Sequence, residues 1–129
     1  MAKTLQTIFS IQDHWQKKKR SGHFDLRILE PKRSVLISWA FPKSKFPLGS
    51  EKILAIRTQD HLISYMHFEG TLDNGDIVKL YDRGSCKIII SEANYFLIYF
   101  NGKKIKGNYN FIRNVASKDA WYVTKSKKF

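Results

Sequence analysis

Residues Tyr95–Arg113 read YFLIYFNGKKIKGNYNFIR, with runs of aromatic and β-branched side chains on both sides of a short polar segment. Such side chains favour strands, because they pack well on a pleated, half-buried surface. Asn101-Gly102 accepts the positive φ angles that a tight primed turn requires, so this dipeptide predicts the turn of a β-hairpin. The stretch therefore predicts an all-β fold, with strands at Tyr95–Phe100, Lys103–Lys106 and Asn108–Arg113.

Segments of the same kind occupy most of the remaining chain, and no segment has a sustained helical period. The further predicted strands are Thr7–Gln12, His23–Leu29, Val35–Phe41, Lys52–Thr58, Ile77–Tyr81, Cys86–Ile90 and Trp121–Lys125. So many short strands in 129 residues favour a small closed barrel or a sandwich, formed as one domain over residues 1–129. We expect Trp39, Phe68 and Trp121 in its core.

The chain is strongly basic, with 23 Lys and Arg against 11 Asp and Glu and a net charge of +12. Such a field attracts polyanions and speeds their encounter, so nucleic acid is the predicted partner; solubility alone is the other interpretation. The run Lys17–Arg20 is a candidate contact loop, whereas we expect the run from Lys125 to Lys128 to be solvated.

No feature of the sequence indicates secretion or membrane insertion. Cys86 is the single cysteine, which excludes an internal disulfide. No apolar run approaches the roughly 20 residues that span a membrane, and the start MAKTLQTIFS lacks the apolar region of a signal peptide. We expect a cytoplasmic, nucleoid-associated monomer with no membrane partner.

The stretch GHFDLRIL, residues 22–29, alternates polar and apolar side chains. Because successive side chains of a strand point to opposite faces, Phe24 and its apolar neighbours can enter a core while His23, Asp25 and Arg27 share the other face. His14 lies at the end of the preceding predicted strand, where IQDHW ends it. Two imidazoles and a carboxylate from adjacent strands can bind one divalent ion, and the carboxylate favours Mn²⁺ over Zn²⁺.

Several sequence blocks together resemble one known family. FSIQDHW, HFDLRILE, SWAFPK, TQDHLISYMHFEG, YDRG and WYVTK occur in the order and approximate spacing of the 3′-phosphoesterase domain of bacterial DNA ligase D and its stand-alone relatives. The family fold is a compact β-barrel, which agrees with the strand pattern. The chain departs from the family in a longer loop between His14 and His23, in Gln59 where the family has an acid, and in a shortened segment at TLDNGD.

The resemblance implies roles for eight residues. The implied Mn²⁺ ligands are His14, His23 and Asp25. The residues implied to bind the substrate phosphate and act in catalysis are Arg27, His61 and Tyr65, with Lys43 as a further phosphate contact and Gln12 as a supporting residue near the metal. In physical terms a guanidinium offers a fork of donors to phosphate oxygens, and an imidazole can protonate a leaving oxygen or stabilise the phosphorane.

The resemblance also implies an activity and partners. The family repairs 3′ ends: a phosphodiesterase step removes a terminal ribonucleoside, and a phosphomonoesterase step then converts the 3′-phosphate to a ligatable 3′-hydroxyl. The implied substrates are DNA or RNA-tipped DNA 3′ ends. A separate ligase, polymerase or end-binding protein is an expected functional partner.

The residues are also compatible with two functions of other classes. Two histidines and one carboxylate also form the ligand set of non-haem Fe(II) oxygenases, with His61 as the distant histidine. A basic nucleic-acid-binding β-barrel with an inactive or weakly active site is the second alternative, because the charge would serve that role without catalysis. Metal-dependent release of phosphate from a 3′-phosphorylated oligonucleotide separates the enzyme from the binding module.

Overall fold

A computed structural model describes residues 4–126, and strands dominate it. The strands are β1 Leu5–Gln16, β2 Ser21–Glu30, β3 Val35–Pro42, β4 Lys52–His61, β5 Gly70–Thr71, β6 Ile77–Glu92, β7 Tyr95–Gly102, β8 Lys106–Arg113 and β9 Ala120–Lys125. One 3-10 turn, Ile63–Tyr65, lies between β4 and β5. Across the described residues there is no helix with the length and apolarity needed to cross a membrane.

The strands close into an antiparallel barrel. Hydrogen-bonded neighbours follow the order β1-β2-β3-β4-β9-β8-β7-β6, and the pairing of β1 with β6 completes the ring. The short β5 adds to β6 outside this ring. The all-β barrel expected from the sequence is confirmed, and closure removes the exposed edges that an open sheet of this size would leave.

The core fills the interior of the barrel with alternate side chains from each strand. On β2 the inward residues Phe24, Leu26 and Ile28 are 5%, 0% and 0% exposed, as the alternation predicts. Trp39 and Trp121 are also buried, and their rings meet edge to face with centroids 5.6 Å apart. Burial of these large apolar side chains provides the main stabilisation of the fold.

The predicted strands Ile77–Tyr81 and Cys86–Ile90 are one continuous strand, β6. The intervening segment DRGS, residues 82–85, resembles a turn because of Gly84, but this glycine lies within the strand. A Cβ at Gly84 would lie 2.2 Å from the carbonyl oxygen of Asn101 on β7. The glycine therefore permits a close approach of two strands and does not form a turn.

The hairpin between β7 and β8 differs from the predicted one at its turn. Asn101 and Gly102 end β7 and have no positive φ, and the predicted strand Lys103–Lys106 is instead the turn, with only its last residue in β8. The buried carboxylate of Asp82 accepts backbone N–H groups from Lys103, Lys104 and Ile105 at 2.8–3.1 Å. Because the distant Asp82 side chain accepts the hydrogen bonds of the turn's backbone N–H groups, a primed turn at Asn101-Gly102 is not needed.

Candidate active site

The expected metal ligands lie together on the outer face of β1 and β2. His14 and His23 are directly opposite each other in the antiparallel register, and their ring centroids are 4.8 Å apart. Asp25 lies two residues beyond His23 on the same face of β2. One ligand atom from each of the three residues lies within 4.8 Å of the others. This spacing fits a single metal ion between two imidazoles and a carboxylate.

Asp25 is the centre of this group. Its carboxylate lies 3.1 Å from His23 Nε2, 3.4 Å from His14 Nδ1 and 3.5 Å from Arg27 Nη2. Burial by itself would raise the pKa of Asp25, but the hydrogen bonds from His14 and His23 and the charge of Arg27 lower that pKa well below its usual range. The carboxylate is therefore ionised at neutral pH, as a metal ligand must be.

Asp76 is a second carboxylate in the site, which the sequence did not reveal. Its Oδ2 lies 2.9 Å from His14 Nε2, and its Oδ1 accepts the backbone N–H of Lys17 at 3.0 Å. The bond to Asp76 engages Nε2, so Nδ1 is the His14 nitrogen that faces Asp25. Such a carboxylate fixes the orientation of a ligating imidazole. No local pattern marks Asp76, because only the pairing of β1 with β6, His14 opposite Val78, brings it to the site.

The two carboxylates also affect the charge of His14. The hydrogen bond to Asp25 raises the pKa of His14, burial opposes that rise, and the bond to Asp76 adds to it. Without a metal ion the pair of carboxylates thus favours the protonated ring. A proton and a divalent cation compete for the same nitrogen.

Arg27 extends the site along β2, and Gln12 holds it. Arg27 is 4% exposed, and its Nε donates to Gln12 Oε1 at 3.0 Å. Gln12 Nε2 in turn donates to the carbonyl oxygens of Tyr65 and Phe68 at 3.0 and 3.1 Å. The expected support from Gln12 therefore goes to Arg27 and to the segment that carries Tyr65, and no hydrogen bond of Gln12 reaches the three metal-ligand candidates among residues 4–126.

His61 and Tyr65 approach Arg27 from the end of β4 and from the 3-10 turn. His61 Nδ1 lies 2.8 Å from the carbonyl oxygen of Gln59 and 3.3 Å from Arg27 Nη1. A carbonyl only accepts, so the shorter contact assigns the Nδ1 proton to the bond with Gln59 and leaves Nε2 for a ligand. The Arg27 guanidinium carbon lies 5.3 Å from the centre of the Tyr65 ring. Three phosphate-binding candidates are thus brought together.

The pKa of His61 is lowered, first by burial and then by the positive charge of Arg27. The hydrogen bond to the backbone carbonyl of Gln59 raises the pKa of His61 and so opposes part of this shift. In the free protein His61 is therefore mainly neutral at pH 7.

Phe68 and Lys43 differ in their relation to this cluster. Phe68 is half-buried and stacks on Tyr65, with centroids 5.0 Å apart and an interplanar angle of 16°; its expected place in the core is wrong, because the ring supports the site. Lys43 is exposed and follows Pro42, the partner of His23 across β2 and β3. No hydrogen bond or ion pair joins Lys43 to the other candidates in the described part of the chain.

Comparison with known proteins assigns the chain to a family. The family model of the DNA ligase D 3′-phosphoesterase domain matches residues 12–113. A multifunctional non-homologous end joining protein LigD from Mycobacterium bovis is 30% identical over 133 aligned positions, covering 92% of this chain and 16% of the relative. The Pseudomonas aeruginosa protein of the same name is 29% identical over 117 positions, covering 81% of the chain and 14% of the relative.

The chain spans between one seventh and one sixth of the length of these relatives, 14% and 16%. The matched segment contains every site residue described above, from Gln12 to Asp76. Since the family model covers most of its length, the chain belongs to the DNA ligase D 3′-phosphoesterase domain family.

Proposed function

We propose that the protein is a metal-dependent phosphoesterase that processes the 3′ ends of nucleic acids. The single observation that carries this proposal is the position of Arg27, which lies 3.5 Å from Asp25 on one side and 3.3 Å from His61 on the other. A phosphate held by this guanidinium lies between the candidate metal ligands and a candidate proton donor. That arrangement is what hydrolysis of a phosphate ester requires.

The donor set fits a divalent transition metal. His14, His23 and Asp25 converge within 4.8 Å, Asp25 is ionised, and Asp76 orients His14, so the group has both ligands and a supporting carboxylate. We propose Mn²⁺ as the ion, with Zn²⁺ as the alternative. When bound, such an ion supplies a Lewis acid for a phosphoryl oxygen and a place for the attacking water.

Arg27 and Tyr65 orient the phosphate. Arg27 is buried and fixed by Gln12, so its free N–H groups can bind phosphate oxygens with little further loss of side-chain entropy. Tyr65 is held by its stacking on Phe68 and by the Gln12 bond to its carbonyl oxygen. Both residues act by binding and positioning.

His61 is the proposed proton donor to the leaving oxygen. Its pKa is lowered in the free protein, partly by the charge of Arg27. A phosphate dianion bound at Arg27 offsets that charge and favours protonation of His61. Nε2 can then deliver a proton to the departing nucleoside oxygen in the diester step, and Gln59 holds the ring through Nδ1.

The proposed substrate is a DNA end, or a DNA end that carries a terminal ribonucleotide. Cleavage of the diester removes the nucleoside, and hydrolysis of the remaining 3′-phosphate yields a 3′-hydroxyl. The relatives are named for non-homologous end joining, and we propose that this chain contributes end processing to such repair beside a separate ligase or polymerase activity. The charge of +12 supports binding to the phosphate backbone.

The test is release of inorganic phosphate from a 3′-phosphorylated DNA oligonucleotide with and without Mn²⁺. Release should require the ion, and His23→Ala should lose both Mn²⁺ binding and turnover. Arg27→Lys should bind Mn²⁺ normally and lose about 100-fold or more in rate, because a bidentate donor to the transition state is removed. His67→Ala is the matched control, since His67 is an exposed histidine outside the cluster.

Two results would contradict the proposal. Turnover that persists in chelator with the wild-type protein would exclude the metal-dependent reaction. Tight binding of the oligonucleotide without any phosphate release, over a range of divalent ions, would instead support the basic binding module.

A further inference from the structure

The structure has a cavity at one end of the barrel, on the opposite face of the sheet from Arg27. The cavity has a volume of about 740 Å³ and opens between the ends of several strands. Its walls include the apolar side chains of Ile37, Ile88 and Phe96, the basic side chains of Lys32, Arg33 and Arg57, and one carboxylate, Glu30, which lies 3.8 Å from Arg33. The volume is within the range of pockets that hold small organic ligands.

Arg57 is an arginine on the inward face of β4. It follows Ile53 and Ala55 at alternate positions; Ala55 is a core residue and Ile53 packs against the core. Arg57 is directly opposite Trp39, a fully buried residue, in the pairing of β3 with β4. Its guanidinium carbon lies 4.6 Å from the centre of the Trp39 ring and 5.7 Å from that of Phe96. The side chain therefore presents a half-buried cation to the mouth of the barrel.

No carboxylate forms a close ion pair with the Arg57 guanidinium in the part of the chain that is described, although the charge of Asp60 acts on it from a longer distance. Arg33, the neighbouring arginine, is paired with Asp60 at 2.9 Å and with Glu30 at 3.8 Å. Neither carboxylate lies within 4 Å of Arg57, and no side-chain hydrogen bond engages its N–H groups among residues 4–126. The Trp39 and Phe96 rings contact the face of the guanidinium, and its five in-plane N–H groups remain free to donate to a ligand.

An arginine with free N–H donors, in a cavity where basic side chains outnumber carboxylates by three to one, indicates an anionic ligand. A fork of N–H donors matches a phosphate group, and the apolar walls with the Phe96 ring match a planar base. Arg57 lies four residues before His61, roughly 13 Å along β4. A shift in the pairing of β3 with β4 sets Ser38 opposite Thr58 but Leu36 opposite His61, and this bulge turns His61 to the other face of the strand. The phosphate that would react at Arg27 and His61 is therefore not the phosphate that would bind here.

We propose that this cavity binds a nucleoside phosphate, with the phosphate on Arg57 and the base against Phe96. The choice of a nucleotide among organic anions rests on the proposed function. The ligand is either a free nucleotide or a nucleotide within the strand being processed, and both present the same group to Arg57.

The proposal is tested by amide NMR titration of the protein without added metal. The probes are 5′-AMP, inorganic phosphate and a DNA octamer with a 3′-hydroxyl, none of which is a 3′-phosphate substrate. 5′-AMP should shift the amides of Ile37, Arg57 and Phe96 and the indole N–H of Trp39. Arg57→Gln should weaken this binding at least about 10-fold, because hydrogen bonds to a charged group are lost. Arg83→Gln, an exposed arginine on β6, removes the same charge and should leave the binding unchanged.

The arms of the titration distinguish the two sources of the nucleotide. Binding of 5′-AMP alone supports a free nucleotide, and competition between 5′-AMP and the octamer for the same amides supports the strand. The proposal is overturned if millimolar 5′-AMP leaves these amides unshifted, or if inorganic phosphate binds as tightly as 5′-AMP. The amide shifts of the wild-type protein show by themselves whether 5′-AMP binds in the cavity, even if Arg57→Gln fails to fold.

Phosphate release from a short 3′-phosphorylated oligonucleotide separates this proposal from the proposed function. A protein that binds 5′-AMP in the cavity but releases no phosphate would support the second site and contradict the enzyme. A protein that releases phosphate but does not bind 5′-AMP would support the enzyme and contradict the second site.

Discussion

At the scale of single residues, the candidate site depends on buried side chains that hold other side chains. Gln12 is fully buried and makes three hydrogen bonds, one to Arg27 and two to the backbone of the segment at Tyr65. Asp76 plays the corresponding part for His14. Removing such a supporting residue should therefore change the geometry of the site while the groups proposed to contact substrate or metal remain present.

Asp76→Asn is expected to weaken metal binding about 10- to 100-fold, the usual effect of removing the carboxylate behind a ligating histidine. The amide replaces an acceptor for His14 Nε2–H with a group that can also donate, so the ring is less firmly oriented. Isothermal titration with Mn²⁺ measures the affinity, and ¹⁵N NMR of the imidazole reports which nitrogen carries the proton. Asp73→Asn, an exposed carboxylate in the same turn, is the control. Equal affinity in both variants would show that Asp76 has no such role.

The histidines provide a test of the electrostatics. In the metal-free protein His61 should titrate below 6.5 and His14 above it, because the pKa of His61 is lowered by burial and Arg27 while the pKa of His14 is raised chiefly by Asp25. Because the folded state lowers the pKa of His61, the neutral ring contributes to the free energy of unfolding above pH 6.5. That contribution is lost as the pH falls through the lowered pKa. Because the folded state raises the pKa of His14, the protonated ring contributes to the free energy of unfolding below pH 6.5. That contribution is lost as the pH rises through the raised pKa.

Proton NMR of the imidazole resonances measures both values. Arg27→Gln should move the His61 pKa upward, since one cause of its depression is removed. A His61 pKa at or above 6.5 in the wild-type protein would contradict the close contact with Arg27.

At the scale of elements, the turn between β1 and β2 adjoins the site. Residues Lys17–Arg20 form this turn, and all four are exposed. The turn connects the strands that carry His14 and His23, so its positive charges lie beside the candidate metal ligands. Lys17 is further fixed because its backbone N–H donates to Asp76.

Replacing Lys17, Lys18, Lys19 and Arg20 by Ala is expected to weaken DNA binding and to reduce its dependence on salt. Each lost phosphate contact lowers the slope of log K against log salt by about 0.7 on a single strand. Fluorescence anisotropy over a range of salt concentrations measures the slope. Lys103→Ala with Lys104→Ala, in the β7–β8 turn, controls for a general loss of charge. An unchanged slope in the first variant would mean that this turn is only solvated.

At the scale of the whole molecule, closure of the barrel depends on β6. Its residues pair with β1 on one side and β7 on the other, so Cys86 lies opposite both Thr7 and Phe100. The thiol is 1% exposed, and burial raises the pKa of Cys86 to about 12. The state of this single cysteine therefore reports on whether the barrel is closed.

Cys86 is expected to resist alkylation by iodoacetamide in the native protein at pH 8. A thiol with this pKa has a thiolate fraction about 1,000-fold lower than an ordinary cysteine, and reagent access requires opening of the barrel. Mass spectrometry of samples with and without guanidinium measures the labelling. Rapid labelling of the native protein would contradict the burial of β6.

The sequence by itself determined most of the strands and the composition of most of the site. Alternation along GHFDLRIL places His23, Asp25 and Arg27 on one face because the side-chain period of a strand is two, and this property is local. The family resemblance, carried by short ordered blocks, likewise identified His14, His61 and Tyr65 as candidates. These conclusions follow from residues that lie within a few positions of one another.

Only the tertiary structure decided which distant groups meet. The contact of Asp76 with His14 spans 62 residues and that of Gln12 with the carbonyl of Tyr65 spans 53. The continuity of β6 through Gly84 and the inward position of Arg57 in a cavity also depend on pairing between strands. Such contacts are fixed by the register and closure of the barrel, a cooperative result of packing that no local pattern encodes.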